Sequence, residues 1–295
     1  MKNTIFKGMA TAMVTPMTST GVDYDALERF IEFQLENGIN ALVAVGTTGE
    51  SATLTPEERK AVIRFTVKKV NGRVPVIAGT GTNNTSHVLD FSKSACDDGA
   101  DALLVVTPYY NKATQSGLIA HYTAVADAAE KPLILYNVPG RTGCNIQPAT
   151  VNVLADHPNI VGIKEASGDM SQVVDIFQMC GDRIDVYSGE DALSVPFISM
   201  GGAGTISVLS NVVPKLSVEM TDAAFRNDYA AASALQCKLL PLVHCLFSQV
   251  NPIPAKAATA AMGFGEENVR LPLTKMEEPF RSKLFAEMRK LGIEV

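Results

Sequence analysis

The chain of 295 residues is predicted to be an α/β protein, a (β/α)8 TIM barrel followed by a C-terminal helical appendage. A unit of apolar run, polar loop and amphipathic segment recurs about eight times along residues 1–227. After Asp228 the strand-like runs stop, and alanine-rich helical segments fill residues 228–295 without a linker rich in Pro, Gly or Ser. The first strand-to-helix loop, residues 15–18, lacks the glycine fingerprint of dinucleotide-binding proteins. These observations favour a closed barrel over an open, doubly wound sheet.

The predicted strands are short apolar runs without alternation, which is typical of parallel strands buried on both faces. They cover residues 9–14, 41–45, 74–78, 102–106, 133–136, 160–164, 185–188 and 204–208. A lysine ends the sixth run, and polar residues follow most of the others. The carboxyl ends of these strands would meet at one end of the barrel, where the active sites of such barrels lie.

The predicted helices alternate with the strands, and sequence signals mark several of their ends. They cover residues 25–37, 56–70, 85–98, 115–129, 148–155, 170–180, 192–200 and 214–226, with three more in the appendage at about 228–250, 253–263 and 276–291. Thr55, Pro56 and Glu58 form a Thr-x-x-Glu capping box with proline at the first helical position. Gly38 and Gly99 follow two of the helices as C-terminal glycines.

Composition and charge exclude several functional classes. A net charge of −6 and a pI near 5.3, with no basic cluster, argue against binding to nucleic acid. No apolar run reaches membrane length, and the N-terminus has no secretory pattern. The five cysteines form no CxxC pair and the four histidines are isolated. We therefore expect a cytoplasmic protein that binds no nucleic acid, membrane, catalytic metal or cofactor.

Lys164 stands at the end of the sixth predicted strand, where a charge is costly. Burial disfavours the charged form of an amine, and a neutral amine attacks a ketone or aldehyde to form a Schiff base. The alternative is that Lys164 leans into solvent and pairs with Glu165. This stretch alone leaves both interpretations open.

The other predicted strand ends carry hydroxyl groups, phenols and one arginine. They lie in residues 46–51, 107–111, 136–143 and 188–191. Each has a structural alternative, since residues 46–51 could be only a tight turn, Tyr109 and Tyr110 could be packing aromatics, and Arg141 could form a surface ion pair. Their joint occurrence on the predicted catalytic face favours an active site. Phosphate binding is disfavoured, because the glycine-rich residues 201–204 precede a strand and residues 188–191 are acidic.

Four motifs in this order resemble the lysine-dependent aldolase family of dihydrodipicolinate synthase and N-acetylneuraminate lyase. They are GTTGES at 46–51, YNVP at 136–139, KEASG at 164–168 and YSG at 187–189. The resemblance extends over nearly the whole chain, and residues 107–111, 140–143, 251–256 and 271–273 are similar to the synthase branch. It implies a carbon–carbon lyase that condenses pyruvate, held as a lysine Schiff base, with L-aspartate 4-semialdehyde on the diaminopimelate route to lysine.

Two alternatives to this function stay open. One is a sister aldolase that cleaves a sialic acid or a keto-deoxy sugar acid, for which hydroxyl and amide partners would be expected in place of Arg141. The other is a non-catalytic barrel with a binding or regulatory role. The presence of every catalytic residue of the family argues against the second, and those residues are Lys164, Tyr136, Thr47 and Tyr110.

The resemblance also implies the catalytic roles. Lys164 would form the imine with pyruvate, and Tyr136 would shuttle protons. Because a phenol with an ordinary pKa near 10 is a poor base, Tyr136 needs a relay. In the family, Thr47 links it to Tyr110, which arrives from a neighbouring subunit. We therefore expect a homo-oligomer, arranged as a dimer of dimers.

The same resemblance implies the substrate-binding residues. The amides and hydroxyls of Thr47 and Thr48 would hold the pyruvate carboxylate. Arg141 would bind the carboxylate of the semialdehyde through two hydrogen bonds, which a lysine could not reproduce. Backbone atoms of Gly189 and Ile206 would line the pyruvate pocket.

A regulatory lysine site of the family is only partly matched. The matching positions are Ser51, Ala52, Asn83 and Tyr109. His87 replaces a glutamate that pairs with the ligand's ammonium group, while Pro56 and Arg59 replace histidines. Glu50 or Glu57 could supply the missing carboxylate instead. We expect weak or absent feedback inhibition by lysine, because an ammonium group without its counter-charge is costly to desolvate.

Overall fold

The computed structural model describes residues 2–295 and, within them, shows eight parallel strands closed into a barrel in the order β1 to β8. The strands are β1 Gly8–Ala12, β2 Ala41–Ala44, β3 Val76–Gly79, β4 Ala102–Val106, β5 Leu133–Asn137, β6 Ile160–Glu165, β7 Asp185–Ser188 and β8 Gly204–Ser207. Each strand pairs with the next, and β8 closes on β1 with Gly204 opposite Gly8. The predicted fold class is therefore confirmed.

Strand boundaries differ from the prediction by one or two residues. β3 begins at Val76 rather than at residue 74, because Pro75 has no backbone N–H to contribute to the ladder. β5 and β6 each run one residue further than predicted, to Asn137 and Glu165. The two strands stay paired at this end, with Tyr136 opposite Lys164. Two predicted catalytic residues are thus brought side by side.

Nine helices pack around the described barrel. They are α1 Tyr24–Glu36, α2 Pro56–Val70, α3 Thr85–Asp97, α4 Gln115–Ala128, α5 Pro139–Thr142, α6 Pro148–Leu154, α7 Met170–Cys180, α8 Ser194–Ser199 and α9 Pro214–Phe225. The capping box at α2 is present, since Thr55 Oγ1 accepts from the Glu58 N–H at 3.2 Å and Glu58 accepts from the Thr55 N–H at 2.9 Å. The short helix α5 was not predicted, because its four residues are too few to show a helical period.

The buried core has two layers. One layer fills the barrel interior and the other lies between the strands and their helices. Phe6, which precedes β1, stacks on Tyr187 with ring centroids 4.5 Å apart, and the Tyr187 hydroxyl donates to the Phe6 carbonyl at 3.0 Å. These rings fill the end of the barrel at which the strands begin. Access to the interior is therefore from the carboxyl ends of the strands.

Three further helices follow the barrel in sequence: α10 Tyr229–Leu246, α11 Ile253–Ala261 and α12 Glu278–Lys290. Gln236 of α10 bonds the carbonyl of Asp191 and the N–H of Val195, next to the end of β7. Lys256 of α11 bonds Glu50, next to the end of β2. The division of the chain into domains at residue 228 stays a prediction. Within residues 2–295, no helix is long and apolar enough to cross a membrane.

Candidate active site

A narrow cleft, here called the lysine cleft, lies at the carboxyl ends of the strands. Six residues predicted as catalytic or substrate-binding line it: Thr47, Thr48, Tyr136, Arg141, Lys164 and Gly189. Apolar side chains form much of its wall, namely Ala12, Val43, Leu104, Val138, Ala166 and Val208. Such a mixture of an apolar wall and a few convergent polar groups is typical of a small-molecule site.

Lys164 lies at the centre of the cleft with only 5% of its surface exposed. Its Nζ atom is 4.3 Å from the centroid of the Tyr136 ring, and it has no hydrogen bond or ion pair with any described residue. Glu165 points to the other side of the strand, where its carboxylate accepts from Asn137 at 2.8 Å and from the Ser167 N–H at 2.7 Å. A pairing of Lys164 with Glu165 is therefore wrong.

Gly189 explains how Lys164 fits into this space. A Cβ atom at Gly189 would lie 2.5 Å from Cβ of Ala166 and 3.0 Å from Cε of Lys164. Any side chain here would displace the lysine stem. Ile206, the other predicted lining residue, is fully buried in β8, and its side chain belongs to the barrel interior rather than to the cleft. Its predicted backbone role stays a prediction.

The loop between β2 and α2, residues 46–51, is wound tightly by its own backbone. The N–H groups of Gly49 and Ser51 both donate to the Gly46 carbonyl, at 3.1 and 3.4 Å. Two residues of this turn region other than glycine, Val45 and Glu50, have left-handed backbones with φ of 58° and 57°. Such conformations are strained, particularly for the β-branched Val45, and cluster at functional sites.

Thr48 of this loop is buried, and its hydroxyl oxygen accepts from Nδ2 of Asn251 at 2.9 Å. A hydroxyl group has one hydrogen to donate besides its acceptor sites. Because the oxygen already accepts from Asn251, the hydroxyl hydrogen is free to donate to a carboxylate in the cleft. Asn251 also lines the cleft, although its place in the sequence, 203 residues from Thr48, pointed to no such role.

Tyr136 and Thr47 both line the cleft, but no hydrogen bond joins their hydroxyl groups in the described chain. Tyr110 lies outside the cleft of its own chain, with 89% of its surface exposed and φ of 72°. The three predicted relay residues are therefore not connected within one chain. The relay stays a prediction that requires a second subunit.

Arg141 reaches the cleft from α5, the short helix that follows β5. Its backbone N–H donates to the Val138 carbonyl at 3.0 Å, while its side chain is exposed and has no ion pair among the described residues. The guanidinium group is thus free to bind an incoming carboxylate.

Two carboxyl groups after β7 were noted in the sequence only as an acidic loop. Glu190 lines the cleft; burial raises the pKa of its carboxyl, and the neighbouring Asp191 raises it further. Lys164 and Arg141 act in the opposite direction. Asp191 is fully buried, which raises its pKa, and it accepts from the N–H groups of Val208 and Leu209 at 3.0 Å each. Asp191 thereby joins the ends of β7 and β8.

A larger cavity adjoins the lysine cleft, with a volume of about 290 Å³ against about 40 Å³ for the cleft. The smaller space is the candidate site for the chemistry, because Lys164 lines the cleft and not the larger cavity. Four residues line both spaces: Thr47, Val138, Arg141 and Asn251. The larger cavity contains part of the predicted regulatory site, namely Ser51, Ala52 and Tyr109. Asn83 and His87 are outside its lining, and His87 is exposed.

Arg59 adds a buried positive charge to this larger cavity. Its guanidinium group stacks on the Phe91 ring at 4.0 Å and donates to the Gly79 carbonyl at 3.2 Å. Burial lowers the pKa of Arg59 to about 10, so it remains protonated at neutral pH. Glu50 cannot neutralise a ligand here, because Lys256 already binds its carboxylate, and Glu57 is exposed on α2.

The described residues contain no group of three or more His, Cys, Asp or Glu side chains that could hold a metal ion. All five cysteines are free thiols, and burial raises the pKa of four of them: Cys96, Cys144, Cys180 and Cys245. The side chains that line the cleft present amine, hydroxyl, guanidinium, carboxyl and carboxamide groups.

Comparison with known proteins gives consistent results. The 4-hydroxy-tetrahydrodipicolinate synthase of Geobacter sulfurreducens is 49% identical over 285 residues, covering 97% of this chain and 98% of the relative. The dihydrodipicolinate synthase of Acinetobacter baumannii, solved in complex with pyruvate, superposes with a TM-score of 0.96 at 45% identity, covering 98% of this chain and all of that one. A monomeric dihydrodipicolinate synthase variant superposes with a TM-score of 0.96 at 42% identity, covering 98% of each chain.

The model of the dihydrodipicolinate synthetase family matches residues 5–291, and this range contains every residue of the lysine cleft. The resemblance expected from the four motifs is confirmed over almost the whole length. The chain belongs to the dihydrodipicolinate synthetase family.

Proposed function

We propose that the chain is a 4-hydroxy-tetrahydrodipicolinate synthase that condenses pyruvate with L-aspartate 4-semialdehyde. The proposal rests on the surroundings of Lys164. Its amine is buried and has no charge partner among the described residues, and Thr48 and Arg141 line the same cleft. The names of the relatives favour this reaction over the cleavage of a sialic acid or keto-deoxy sugar acid.

In the first half-reaction, the Lys164 amine attacks the keto carbon of pyruvate and water leaves, which forms an imine. The pyruvate carboxylate is held by the loop of residues 46–51, with the free hydroxyl hydrogen of Thr48 as one donor. The apolar wall keeps bulk water out and strengthens these polar contacts. Gly189 leaves the space in which the imine forms.

In the second half-reaction, the cationic imine acidifies the adjacent methyl group, and loss of a proton gives an enamine. The enamine carbon attacks the aldehyde carbon of the semialdehyde, and the aldehyde oxygen takes up a proton to become a hydroxyl group. The amine of the semialdehyde then attacks the imine carbon, which closes a ring and releases the amine of Lys164. Tyr136 is the group positioned to take the proton from the methyl group and to supply the proton to the aldehyde oxygen, because its ring centroid lies 4.3 Å from the Lys164 amine. Arg141 binds the carboxylate of the semialdehyde and so fixes its aldehyde over the enamine.

We further propose that the working enzyme is a homo-oligomer, a dimer of dimers, in which Tyr110 completes the relay through Thr47 in a partner's cleft. Its support is the exposed, left-handed position of Tyr110, which is costly for a bulky side chain that contacts little in its own chain. Mixing Tyr110→Phe and Lys164→Ala variants should restore part of the activity in hybrid dimers. A fully active monomer in sedimentation would contradict this arrangement.

A cytoplasmic location is part of the same proposal. Its support is the set of five free thiols, which suits a reducing compartment.

The function is tested by a coupled assay with pyruvate and L-aspartate 4-semialdehyde. We expect turnover only when both substrates are present. The same preparation is then given N-acetylneuraminate and a keto-deoxy sugar acid. Turnover of either of these, without turnover of the semialdehyde, would show that the chain is a sister aldolase.

A further inference from the structure

Two side chains of the C-terminal helical region reach the loop of residues 46–51. Asn251 bonds Thr48, as described above, and Lys256 of α11 binds Glu50. Nζ of Lys256 is 2.6 Å from Oε1 of Glu50, and these side chains are only 2% and 1% exposed. The second carboxylate oxygen of Glu50 accepts from the N–H of Arg270 at 3.1 Å. One carboxylate of the loop is thus held entirely by groups from beyond residue 228.

The surroundings of Lys256 are unusual for a charge. Helix α11 is built from Ile, Pro, Ala and Thr apart from this lysine, and it is buried over most of its length. Removing two ions from water is expensive, and well-packed apolar residues of similar size often stabilise a protein as much or more. A general need for stability therefore does not explain the pair, which points to a role in fixing one conformation.

The loop that Lys256 holds is under backbone strain. Val45 and Glu50, with their left-handed backbones, stand on either side of Thr47 and Thr48. A strained conformation persists only where surrounding contacts over-determine it. The Glu50 side chain is such a contact, since it is bound at one oxygen by Lys256 and at the other by the Arg270 N–H.

We propose that Lys256 is a positioning residue for the subsite that binds the pyruvate carboxylate. It acts through Glu50, whose strained backbone sets the direction of the amides and hydroxyls of Thr47 and Thr48. In this proposal, the C-terminal helices hold the loop of residues 46–51 in one position against the barrel. The inference rests on the proposed function, because it assigns the carboxylate of pyruvate to this loop.

The test replaces Lys256 with methionine, which has a similar stem and no charge. We expect the pyruvate concentration for half-maximal borohydride trapping, and the KM for pyruvate, to rise tenfold or more. The kcat at saturating pyruvate should fall much less, because Lys164 itself is untouched. Lys290→Met is the matched control, since it removes a lysine from an exposed ion pair on α12 and should change neither value.

A double variant separates an effect of Lys256 on pyruvate binding from its effect on the stability of the fold. Lys256→Met alone leaves the Glu50 carboxylate buried and unpaired, so it is expected to lower the melting temperature. Glu50→Gln combined with Lys256→Met removes both charges and should recover most of that loss while keeping the raised KM for pyruvate. The double variant also serves as the test if the single variant does not fold.

An unchanged half-saturation by pyruvate in the folded double variant would overturn the proposal. So would a KM that recovers together with the melting temperature, because a purely structural role predicts that the two move together. If the unmodified chain forms no trapped adduct with pyruvate at all, the proposed function fails, and that outcome is distinct from failure of the positioning role.

Discussion

Two lysines of this chain are almost equally buried, and their surroundings differ in charge and in access. Lys164 is 5% exposed and Lys256 is 2% exposed. Lys164 faces a tyrosine ring in a cleft and has no charge partner among the described residues, whereas Lys256 binds the Glu50 carboxylate inside the protein. Burial alone therefore does not distinguish the two amines. We propose that the lack of a counter-charge and the access for a substrate make Lys164 the reactive one.

The difference also separates two uses of a buried charge. Burial lowers the pKa of Lys256, and the Glu50 carboxylate opposes that shift. Nζ of Lys256 lies 2.6 Å from Oε1 of Glu50 inside the protein, so this amine is engaged by its neighbour and closed to a substrate. Lys164 has space for pyruvate beside it because Gly189 has no side chain. We therefore propose that Lys164 bonds to the substrate and that Lys256 only holds its neighbour.

The largest expected effect is on catalysis and concerns Lys164. Lys164→Met should reduce kcat/KM on the order of 10⁴-fold or more, because no other group provides the amine of the Schiff base. In the same assay at saturating pyruvate, the Lys256→Met variant should keep most of the kcat of the unmodified chain. An equal loss of kcat in the two variants would show that the two lysines do not have different roles.

The same two variants should rank in the opposite order for loss of stability, with Lys256→Met the more strongly affected. Lys256→Met leaves a buried carboxylate without a partner and should lower the free energy of unfolding by about 3–5 kcal/mol. Lys164→Met removes a buried amine that has no hydrogen-bond partner among the described residues, and it should leave this free energy unchanged or raise it. Urea unfolding followed by circular dichroism measures both. A strongly destabilised Lys164→Met variant would mean that the cleft lysine is also a structural residue.

Arg141 extends the comparison to the second substrate. Arg141→Ala should lower kcat/KM for the semialdehyde at least tenfold, since a lost charge-assisted pair costs about 2–5 kcal/mol. Pyruvate trapping by borohydride should be unaffected, because the loop of residues 46–51 holds that carboxylate. The two measurements on one preparation assign the pyruvate carboxylate to the loop of residues 46–51 and the semialdehyde carboxylate to Arg141. Unchanged semialdehyde kinetics would refute the assignment and favour a sugar-acid substrate.

Arg59 is a third buried basic residue, after Lys164 and Lys256. The smallest expected effect is inhibition by L-lysine at the larger cavity, which Arg59 lines. Arg59 has no carboxylate partner among the described residues, and it lines the larger cavity with Tyr109. A lysine ligand would bring an ammonium group close to this charge, so we expect little inhibition by L-lysine in initial-rate titrations at saturating pyruvate. Half-inhibition below about 1 mM, equivalent to roughly −4 kcal/mol of binding, would contradict this expectation.

Much of the fold could be predicted because local patterns and tertiary structure agree. Parallel strands buried on both faces are apolar throughout, and all eight runs became strands within one or two residues. Helix α5 was missed because its four residues show no period. Lys164 could be singled out as a candidate because a lysine at the end of a buried strand is rare, and its burial in β6 is confirmed, while its reactivity stays a prediction.

The contacts made by the C-terminal helices could not be predicted in the same way. The bond from Asn251 to Thr48 and the pair of Lys256 with Glu50 each join residues more than 200 positions apart. Nothing in a local pattern reports such a contact. A lysine inside the apolar segment of α11 was the one available signal, since a buried lysine needs a partner. Its partner is known only from the fold.

The most direct test of the account is to find the lysine that bonds to pyruvate. The protein is incubated with pyruvate, reduced with borohydride, digested and examined by mass spectrometry. We predict one reduced pyruvate per chain, on the peptide that contains Lys164, with Lys256 unmodified and no adduct in Lys164→Met. An adduct on Lys256, or trapping that persists in Lys164→Met, would contradict the account.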